Sequence, residues 1–443
     1  MNKLLISIIT GLLPISGTNV SAAENNQDRR ARWLASFAPQ SPTGREITLI
    51  EPESALQKTE LQKGDIIIAV DGQLVTDGNV WWEISYGLRA NKNYRITYKR
   101  NGVVSQTDVT FEPAPKESYS GLEVDYDFFV NDFNIKQRSI ITYPSNTSTK
   151  LPAIFIVGGL SCSSMEYLPG RKSNFVRSVR NLIEQSGMLV KRIEKPGVGD
   201  SEGDCSKTDF HVELNGIEVA LQQLLKHPLV DSNRVIVYGS SMGSALAPYL
   251  ANKYKLNGII ADGTFYRSWF EHMLEIERRI KTMQGKTQEE VNELINKVYI
   301  PLYYGMLIEK KTYKQVVDSN PLLAEHNYHG DAHMYGRPVS YYHQVQDFNF
   351  AGEWSKLTVP AKIRWGTNDW IMSEYDIDMI AEVLTKNNHQ NFEVYKFPGL
   401  DHWDTIHEAA IDSFSGKPGK WDERISNQLI RWAKELNAKA NQQ

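Results

Sequence analysis

The sequence predicts an α/β protein in which a doubly wound, mostly parallel sheet carries an inserted helical cap and follows a small β-rich domain. Buried apolar strands alternate with helical patterns over most of the C-terminal part of the chain. The alternation stops between Thr264 and Ser355, a span too long for one loop, which predicts the cap. Short alternating strands around Asn101-Gly102, a strong hairpin signal, predict the β-rich domain.

Size and composition indicate an ordinary globular protein of two domains. The chain has 443 residues, of which 41% are hydrophobic and 23% are charged. Its formal net charge of -4 provides no excess of Lys and Arg to neutralise phosphates, which argues against nucleic acid as the main partner.

The N-terminus predicts export. Lys3 precedes a short apolar run over residues 4–13, and the small residues Val20-Ser-Ala22 follow as a cleavage site. A membrane anchor is the alternative, but Gly11 and Pro14 break the run, which is much shorter than the ~20 residues a span needs. We therefore predict a signal peptide over residues 1–22 and a periplasmic or secreted protein.

Residues 30–112 form the predicted β-rich domain. Three of its segments, Glu51-Pro-Glu-Ser-Ala55, Leu61–Ile67 and Val70-Asp-Gly72, together with the closing hairpin, resemble a bacterial PDZ domain of the kind found in exported proteases. The resemblance implies binding of a C-terminal peptide as an added strand beside a helix. Its carboxylate-binding loop would fall near residues 33–37, which depart from the usual Gly-rich pattern, so a structural or gating role without a peptide ligand is the alternative.

A Pro-rich, charged stretch over residues 113–121 predicts a linker to the larger domain, residues 122–440, with its cap at 264–355. Within the larger domain, the segment 235–244 reads VIVYGSSMGS and places Ser241 in a G-x-S-x-G frame between Gly239 and Gly243. An apolar strand leads in and a helix-competent segment follows, so Ser241 occupies a tight strand-to-helix turn. This turn makes Ser241 the candidate nucleophile and directs the N–H of Met242 towards a reacting carbonyl.

A serine nucleophile needs a base and an acid that orients the base. His402 follows the last predicted strand, and Asp369 follows the strand before it, which gives the chain order Ser, Asp, His. Asp262, at another strand end, is the rival acid, whereas Asp401 and Asp404 are too close to His402 in sequence. The loop after the third strand of this domain contains Gly158-Gly159, and we predict that Leu160 supplies the second oxyanion N–H.

These features resemble the α/β-hydrolase family, in particular its capped serine aminopeptidases and prolyl-oligopeptidase-like esterases. The turn EKPGVGDSEGD at 194–204 strengthens the resemblance, although Gly158-Gly159 replaces the usual His-Gly before the oxyanion donor. In the sheet order of this family, the strands before Cys162 and Cys205 are neighbours. The resemblance therefore implies a Cys162–Cys205 disulfide that braces the oxyanion loop.

The cap has two further features, each with a structural alternative. Its aromatic residues suggest a pocket for an apolar group but are also typical of a core, and they are Tyr266, Trp269, Phe270, Tyr299, Tyr303, Tyr304, Tyr341, Tyr342 and Trp354. Glu271, Glu275 and Glu277 would meet a substrate amine, or would lie on a solvated helix face. The histidines at 326, 329 and 333 lack the accompanying ligands that a metal site needs.

The sequence thus predicts an exported serine hydrolase that cleaves a carboxylic ester, with no metal and no cofactor. A serine peptidase of the aminopeptidase type is one alternative. A non-catalytic protein that binds peptides through its PDZ-like domain is another.

Overall fold

The computed structural model describes residues 29–39, 41–76, 78–168, 173–326 and 333–439. The predicted signal peptide, residues 1–22, lies outside the described residues. Across the parts of the chain that are described, no helix combines the length and the apolar character needed to cross a bilayer.

The N-terminal domain is built on an antiparallel sheet with the order β1-β2-β3-β5-β6, in which β4 pairs with β3. Asn101 and Gly102 both have positive φ, as the tight turn between β5 and β6 requires. A 3₁₀ helix, Ala55–Lys58, and one α-helix, α1 (Gly78–Gly87), complete the domain. The strands are β1 (Ala35–Phe37), β2 (Arg45–Ile50), β3 (Ile66–Val70), β4 (Gln73–Leu74), β5 (Asn93–Arg100) and β6 (Val103–Thr110).

The larger domain contains an eight-stranded sheet with the order β16-β15-β12-β11-β9-β10-β8-β7. The pairs β7–β8 and β8–β10 are antiparallel, and the other pairs are parallel. These strands are β7 (Leu122–Val130), β8 (Lys136–Pro144), β9 (Leu151–Val157), β10 (Leu189–Ile193), β11 (Val230–Ser240), β12 (Gly258–Asp262), β15 (Ala361–Gly366) and β16 (Phe392–Phe397).

Both faces of this sheet are covered, as continuous apolar strands require. Alternate residues of β9 face opposite ways: Phe155 packs with α3, α4 and α11, whereas Ile156 packs with α2 and α13. The helices are α2 (Asn174–Ser186), α3 (Phe210–Leu225), α4 (Met242–Tyr254), α11 (Glu374–Lys386), α12 (Ala410–Phe414) and α13 (Arg424–Lys439).

The cap lies between β12 and β15 and is mainly helical. Two of its segments, Ile295–Tyr299 and Tyr304–Ile308, are π-helical, and the N–H of Ile300 donates to the carbonyl of Ile295. The last helix in the predicted range, α10, packs against α4 and α11 and so joins the core layer. The cap elements are α5 (Trp269–Met283), α6 (Gln288–Leu294), α7 (Ile300–Tyr303), α8 (Tyr313–Ser319), a 3₁₀ helix (Pro321–His326), β13 (His333–Met334), β14 (Arg337–Pro338), α9 (Val339–Asp347) and α10 (Phe350–Ser355).

Buried ion pairs join the two domains. Arg29, which is 4% exposed, lies 2.7 Å from the carboxylate of Asp200 and also pairs with Glu166. In the stretch predicted as a linker, Glu117 accepts two hydrogen bonds of 2.7 Å from the buried guanidinium of Arg192. The stretch has no regular secondary structure over residues 111–119, yet this pair fixes it to the sheet of the larger domain.

Candidate active site

Ser241 lies in the turn between β11 and α4 with a strained backbone of φ 57° and ψ -122°. Close packing explains both flanking glycines. A Cβ at position 239 would lie 2.2 Å from the carbonyl oxygen of Gly243, and a Cβ at position 243 would lie 2.2 Å from that of Val157. The sequence therefore folds into a turn that presents Ser241 at the carboxyl edge of the sheet.

The structure brings Ser241, His402 and Asp369 together in one hydrogen-bonded chain. His402 Nε2 lies 3.0 Å from Ser241 Oγ, and His402 Nδ1 lies 2.8 Å from Asp369 Oδ2. The other carboxylate oxygen of Asp369 accepts from the N–H groups of Ile371 and Met372 at 2.8 and 2.9 Å. These two bonds hold the carboxylate in place, so that it orients the imidazole towards the serine.

The electrostatics around His402 suit a base. Burial acts to lower the pKa of His402, but the charge of Asp369 and its hydrogen bond outweigh burial, with smaller contributions from Asp262 and Asp401. The pKa of His402 is therefore raised above the ordinary value for histidine. Such an imidazole is a stronger proton acceptor than an ordinary histidine.

The other acids near His402 have different partners. Asp262 is held by Arg364, whose Nε donates to it at 2.7 Å, and the same guanidinium lies 2.8 Å from Asp404. Asp401 accepts from the N–H groups of Trp403 and Thr405 and thereby shapes the loop that carries the histidine. The rival acid Asp262 thus pairs with arginine, while Asp369 contacts His402.

The loop after β9 passes close to the serine. A Cβ at position 159 would lie 2.9 Å from Ser241 Cβ, so glycine is required for this approach. Leu160 follows directly and, like Met242 at the start of α4, lines the same cavity as Ser241. The N-terminus of a helix also favours negative charge, which suits an oxyanion beside Met242.

Cys162 and Cys205 form a disulfide that links this loop to the loop after β10, with their Cα atoms 5.9 Å apart. Since β9 and β10 are paired in parallel, both loops leave the same edge of the sheet. The disulfide therefore ties the segment that follows Leu160 to a second loop.

Sequence reasoning missed a charged network beneath the loop. The ammonium of Lys195 donates to the carbonyl of Gly159 and lies 3.0 Å from Glu213 on α3. Glu213 also pairs with Arg337 of the cap, and a guanidinium nitrogen of Arg337 lies 2.8 Å from the sulfur of Cys205. The turn at 194–204 was conspicuous in the sequence, but nothing in the pattern around Arg337 indicated this contact.

Ser241 opens into a cavity of about 540 Å³ between the sheet and the cap. Its wall is mostly apolar, with Leu160, Phe265, Trp269, Ile276 and Met372 among the lining residues. Nine aromatic residues of the cap were singled out in the sequence, and in the described structure Trp269 alone among them lines this cavity. Tyr303, Tyr341, Tyr342 and Trp354 are core residues instead. A cavity of this kind suits a small, largely apolar substrate.

The acidic residues of the cap are engaged within the protein. Glu271 caps the start of α5 with Ser268, Glu275 lies near three arginines, and buried Glu277 accepts from the hydroxyl of Tyr303 at 2.9 Å. Over the described part of the chain, none of the three lines the cavity, and no group of acidic, His or Cys side chains is arranged to hold a metal ion.

Both parts of the chain are similar to known proteins. The family profile described as "PDZ domain" matches residues 25–111. The chain therefore contains a PDZ domain.

The chain is also similar to a known esterase and to a second protein. Esterase EstD of Thermotoga maritima is 24% identical over 349 residues, which cover 76% of this chain and 75% of that protein. Protein bem46 of Schizosaccharomyces pombe is 31% identical over 80 residues, which cover 18% and 26% of the respective chains. The described residues of the larger domain have the α/β-hydrolase fold, and the predictions of fold class and of a hydrolase are confirmed.

Solved structures with a fold similar to this chain include two proteins. Esterase Pf2001 of Pyrococcus furiosus has a TM-score of 0.41 and 17% identity, covering 72% of this chain and 96% of that one. Est1E of Butyrivibrio proteoclasticus, with ferulic acid bound, has a TM-score of 0.45 and 15% identity, covering 72% and 100%.

Proposed function

We propose that this protein is an exported serine hydrolase that cleaves carboxylic esters through an acyl-enzyme. The observation that carries the proposal is the hydrogen-bonded chain from Ser241 through His402 to Asp369, in which Ser241 and His402 line a largely apolar cavity. A nucleophile, its base and the group that orients the base are the parts that acyl transfer requires.

The reaction follows from this geometry. Ser241 Oγ attacks the ester carbonyl carbon while His402 Nε2 takes its proton, and the N–H groups of Leu160 and Met242 stabilise the resulting oxyanion. The intermediate collapses, the C–O bond of the ester breaks, and the departing alcohol takes the proton from His402. Water then attacks the acyl-enzyme with His402 again as base, which releases the acid and restores Ser241.

Two observations favour esters over peptides. Esterase EstD aligns with most of this chain, and the three acidic cap residues that would bind a substrate amine are engaged elsewhere in the protein. The peptidase hypothesis still predicts a measurable outcome, which is turnover of aminoacyl amides. A panel of short-chain esters and aminoacyl amides, compared by kcat/KM, distinguishes the two reactions.

The PDZ domain takes a structural role in this proposal. The rings of Trp33 and Trp81 stack at 5.2 Å, and Phe37 packs edge-on against Trp81 at 4.6 Å. Trp33 also donates a hydrogen bond of 3.0 Å to Ser85 of α1. Through these contacts Phe37 of β1 and Trp33 pack directly against α1. A peptide strand could enter between β1 and α1 only by displacing these side chains.

Export agrees with the chemistry of the disulfide, since such bonds persist in oxidising compartments. The proposal assigns the protein to the periplasm or the extracellular medium, after removal of residues 1–22. Mass spectrometry of the protein recovered from cell fractions would test both the compartment and the cleavage site.

The central test is labelling with a fluorophosphonate, followed by mass spectrometry of the intact protein and its peptides. We expect a single adduct on Ser241 that is absent from Ser241→Ala, because only an activated serine beside a working oxyanion hole reacts quickly. A folded wild-type protein that takes no label would contradict the proposal. The peptide-binding role of the PDZ domain would then become the leading hypothesis.

A further inference from the structure

One face of cap helix α5 lines the catalytic cavity and carries two buried side chains whose polar nitrogens have no partner. Trp269, His272 and Ile276 are spaced by three and four residues, so they share a face of the helix, and all three line the cavity. Trp269 and His272 are 4% and 0% exposed. Within the described part of the chain, Trp269 Nε1 and both ring nitrogens of His272 have no hydrogen-bond partner.

The ring contacts of His272 do not satisfy these nitrogens. The imidazole stacks on Phe265 at 4.8 Å and lies 4.9 Å from the indole of Trp269. Burial lowers the pKa of His272 to about 3, with Arg279, His402 and Arg267 acting in the same direction and Asp376 opposing them. The ring is therefore neutral at physiological pH and carries one N–H donor and one acceptor.

Other polar groups of the cavity wall have partners inside the protein. Lys195 binds the carbonyl of Gly159 and Glu213, and Glu213 also binds Arg337. Ser164 donates to Glu194. The contrast matters because buried donors without partners are rare in folded proteins and call for an explanation.

We propose that Trp269 and His272 form a recognition site for an oxygen atom of the substrate, separate from the reacting ester group. Two N–H donors in an apolar wall suit a hydrogen-bond acceptor, namely a ketone, ether or hydroxyl oxygen on the enclosed part of the ester. The inference rests on the proposed ester hydrolysis and gives it a substrate class: oxygen-substituted esters rather than plain alkyl esters. A site that binds such an oxygen discriminates strongly against the analogue that lacks it.

The test compares matched esters within each variant. One series consists of 4-nitrophenyl hexanoate and its analogues with a ketone at successive carbons of the acyl chain. The second consists of butanoate esters of 1-pentanol and of its ketone analogues, followed by acid release. For each protein, the readout is the ratio of kcat/KM for the best ketone ester to that for its plain partner.

We expect wild-type protein to prefer one ketone ester and both His272→Leu and Trp269→Phe to lower that ratio about 10- to 100-fold. Tyr342→Phe is the matched control. Its hydroxyl is equally buried and has no partner in the described structure, and its ring stacks on Trp269, but it does not line the cavity. Its ratio should equal that of wild type.

Thermal unfolding separates recognition from a structural role. Removal of unpaired buried polar atoms should leave the Tm of His272→Leu unchanged or raised, whereas a histidine needed for packing would lower it. Should His272→Leu not fold, Trp269→Phe carries the test. The proposal is overturned if wild type and the folded variants share the same ratio across both series, as they would if water satisfied these nitrogens. In that case, fluorophosphonate labelling of Ser241 and turnover of the plain esters would still support the hydrolase itself.

Discussion

Arg29 of the PDZ domain lies 2.7 Å from Asp200 of the hydrolase domain, and both side chains are buried. The same guanidinium pairs with Glu166, which follows Met165, a residue of the cavity wall. The backbone N–H of Arg30 adds a bond of 2.8 Å to Asp200. The two domains are therefore joined by buried charges, and Glu166 lies in the same segment after β9 that approaches Ser241.

Arg29→Ala should destabilise the protein by about 3–5 kcal/mol, because it leaves Glu166 and Asp200 buried without this partner. Urea denaturation of the whole chain measures the change. Arg95→Ala is the matched control, since Arg95 pairs with Asp108 on the open surface of the same domain. Equal midpoints for Arg29→Ala and wild type would show that the buried cluster does not hold the domains together.

Asp369→Asn should lower kcat by about 10⁴-fold, because the amide no longer holds the imidazole in the productive tautomer. The proposed base acts when neutral, so the rate rises with pH through the pKa of His402, which Asp369 raises. Loss of the carboxylate lowers that pKa and moves the acidic limb of the pH profile to lower pH. Profiles of kcat/KM for both proteins test the two effects together.

Asp262→Asn is the matched control for Asp369, the proposed triad acid. Its main effect should be on stability, because Asp262 pairs with buried Arg364 rather than with His402. We expect kcat per folded molecule to stay within about tenfold of wild type. If Asp262→Asn instead reproduced the loss seen for Asp369→Asn, the assignment of the orienting acid would be wrong.

The Cys162–Cys205 disulfide should contribute ~2–4 kcal/mol to the free energy of unfolding, since it closes a loop between residues separated by 43 positions. Its reduction should also lower kcat, because the segment after Leu160 gains freedom. The double variant Cys162→Ala, Cys205→Ala provides the comparison without a reductant. A reduced protein with unchanged stability and kcat would show that the disulfide does not stabilise the loop after β9.

Lys195 should produce an alkaline limb in the pH profile. Burial lowers the pKa of its ammonium to about 8, with Glu213 opposing and Arg337 reinforcing the shift. As the pH rises through this value, the amine loses its charge and holds the carbonyl of Gly159 more weakly, so kcat/KM should fall. Lys195→Met should have a lower kcat/KM and no alkaline limb in its pH profile. If the alkaline limb is unchanged in this variant, a group other than Lys195 causes it.

The sequence was informative where chemistry imposes a local pattern. Ser241 was a clear candidate because two glycines must flank the central residue of so tight a turn, and steric contacts at positions 239 and 243 explain both. His402 and Asp369 were identifiable because parallel strands bring their carboxyl ends to one edge of the sheet. The strand pattern likewise predicted the fold class.

Contacts between single residues that are distant in the sequence could not be predicted, because no local pattern marks them. Arg29 and Arg337 stand in unremarkable sequence, and their partners lie far along the chain. Lys195 belongs to the conspicuous turn at 194–204, but nothing in that pattern indicated its contacts with Gly159 and Glu213. The π-helical segments of the cap were also beyond prediction, because they depend on how neighbouring helices pack rather than on a residue pattern. The same holds for the rings of Phe37 and Trp81, whose contact only the folded PDZ domain reveals.

The buried position of Arg29 also constrains the order in which the chain folds. Its partners Glu166 and Asp200 follow 137 and 171 residues later. During synthesis, the PDZ sheet can form from its own strands, but the guanidinium stays solvated until the loops after β9 and β10 exist. Docking of the domains is therefore a late, long-range step of folding. In a nascent or truncated chain that lacks these loops, the face of the PDZ domain around Arg29 stays exposed to solvent.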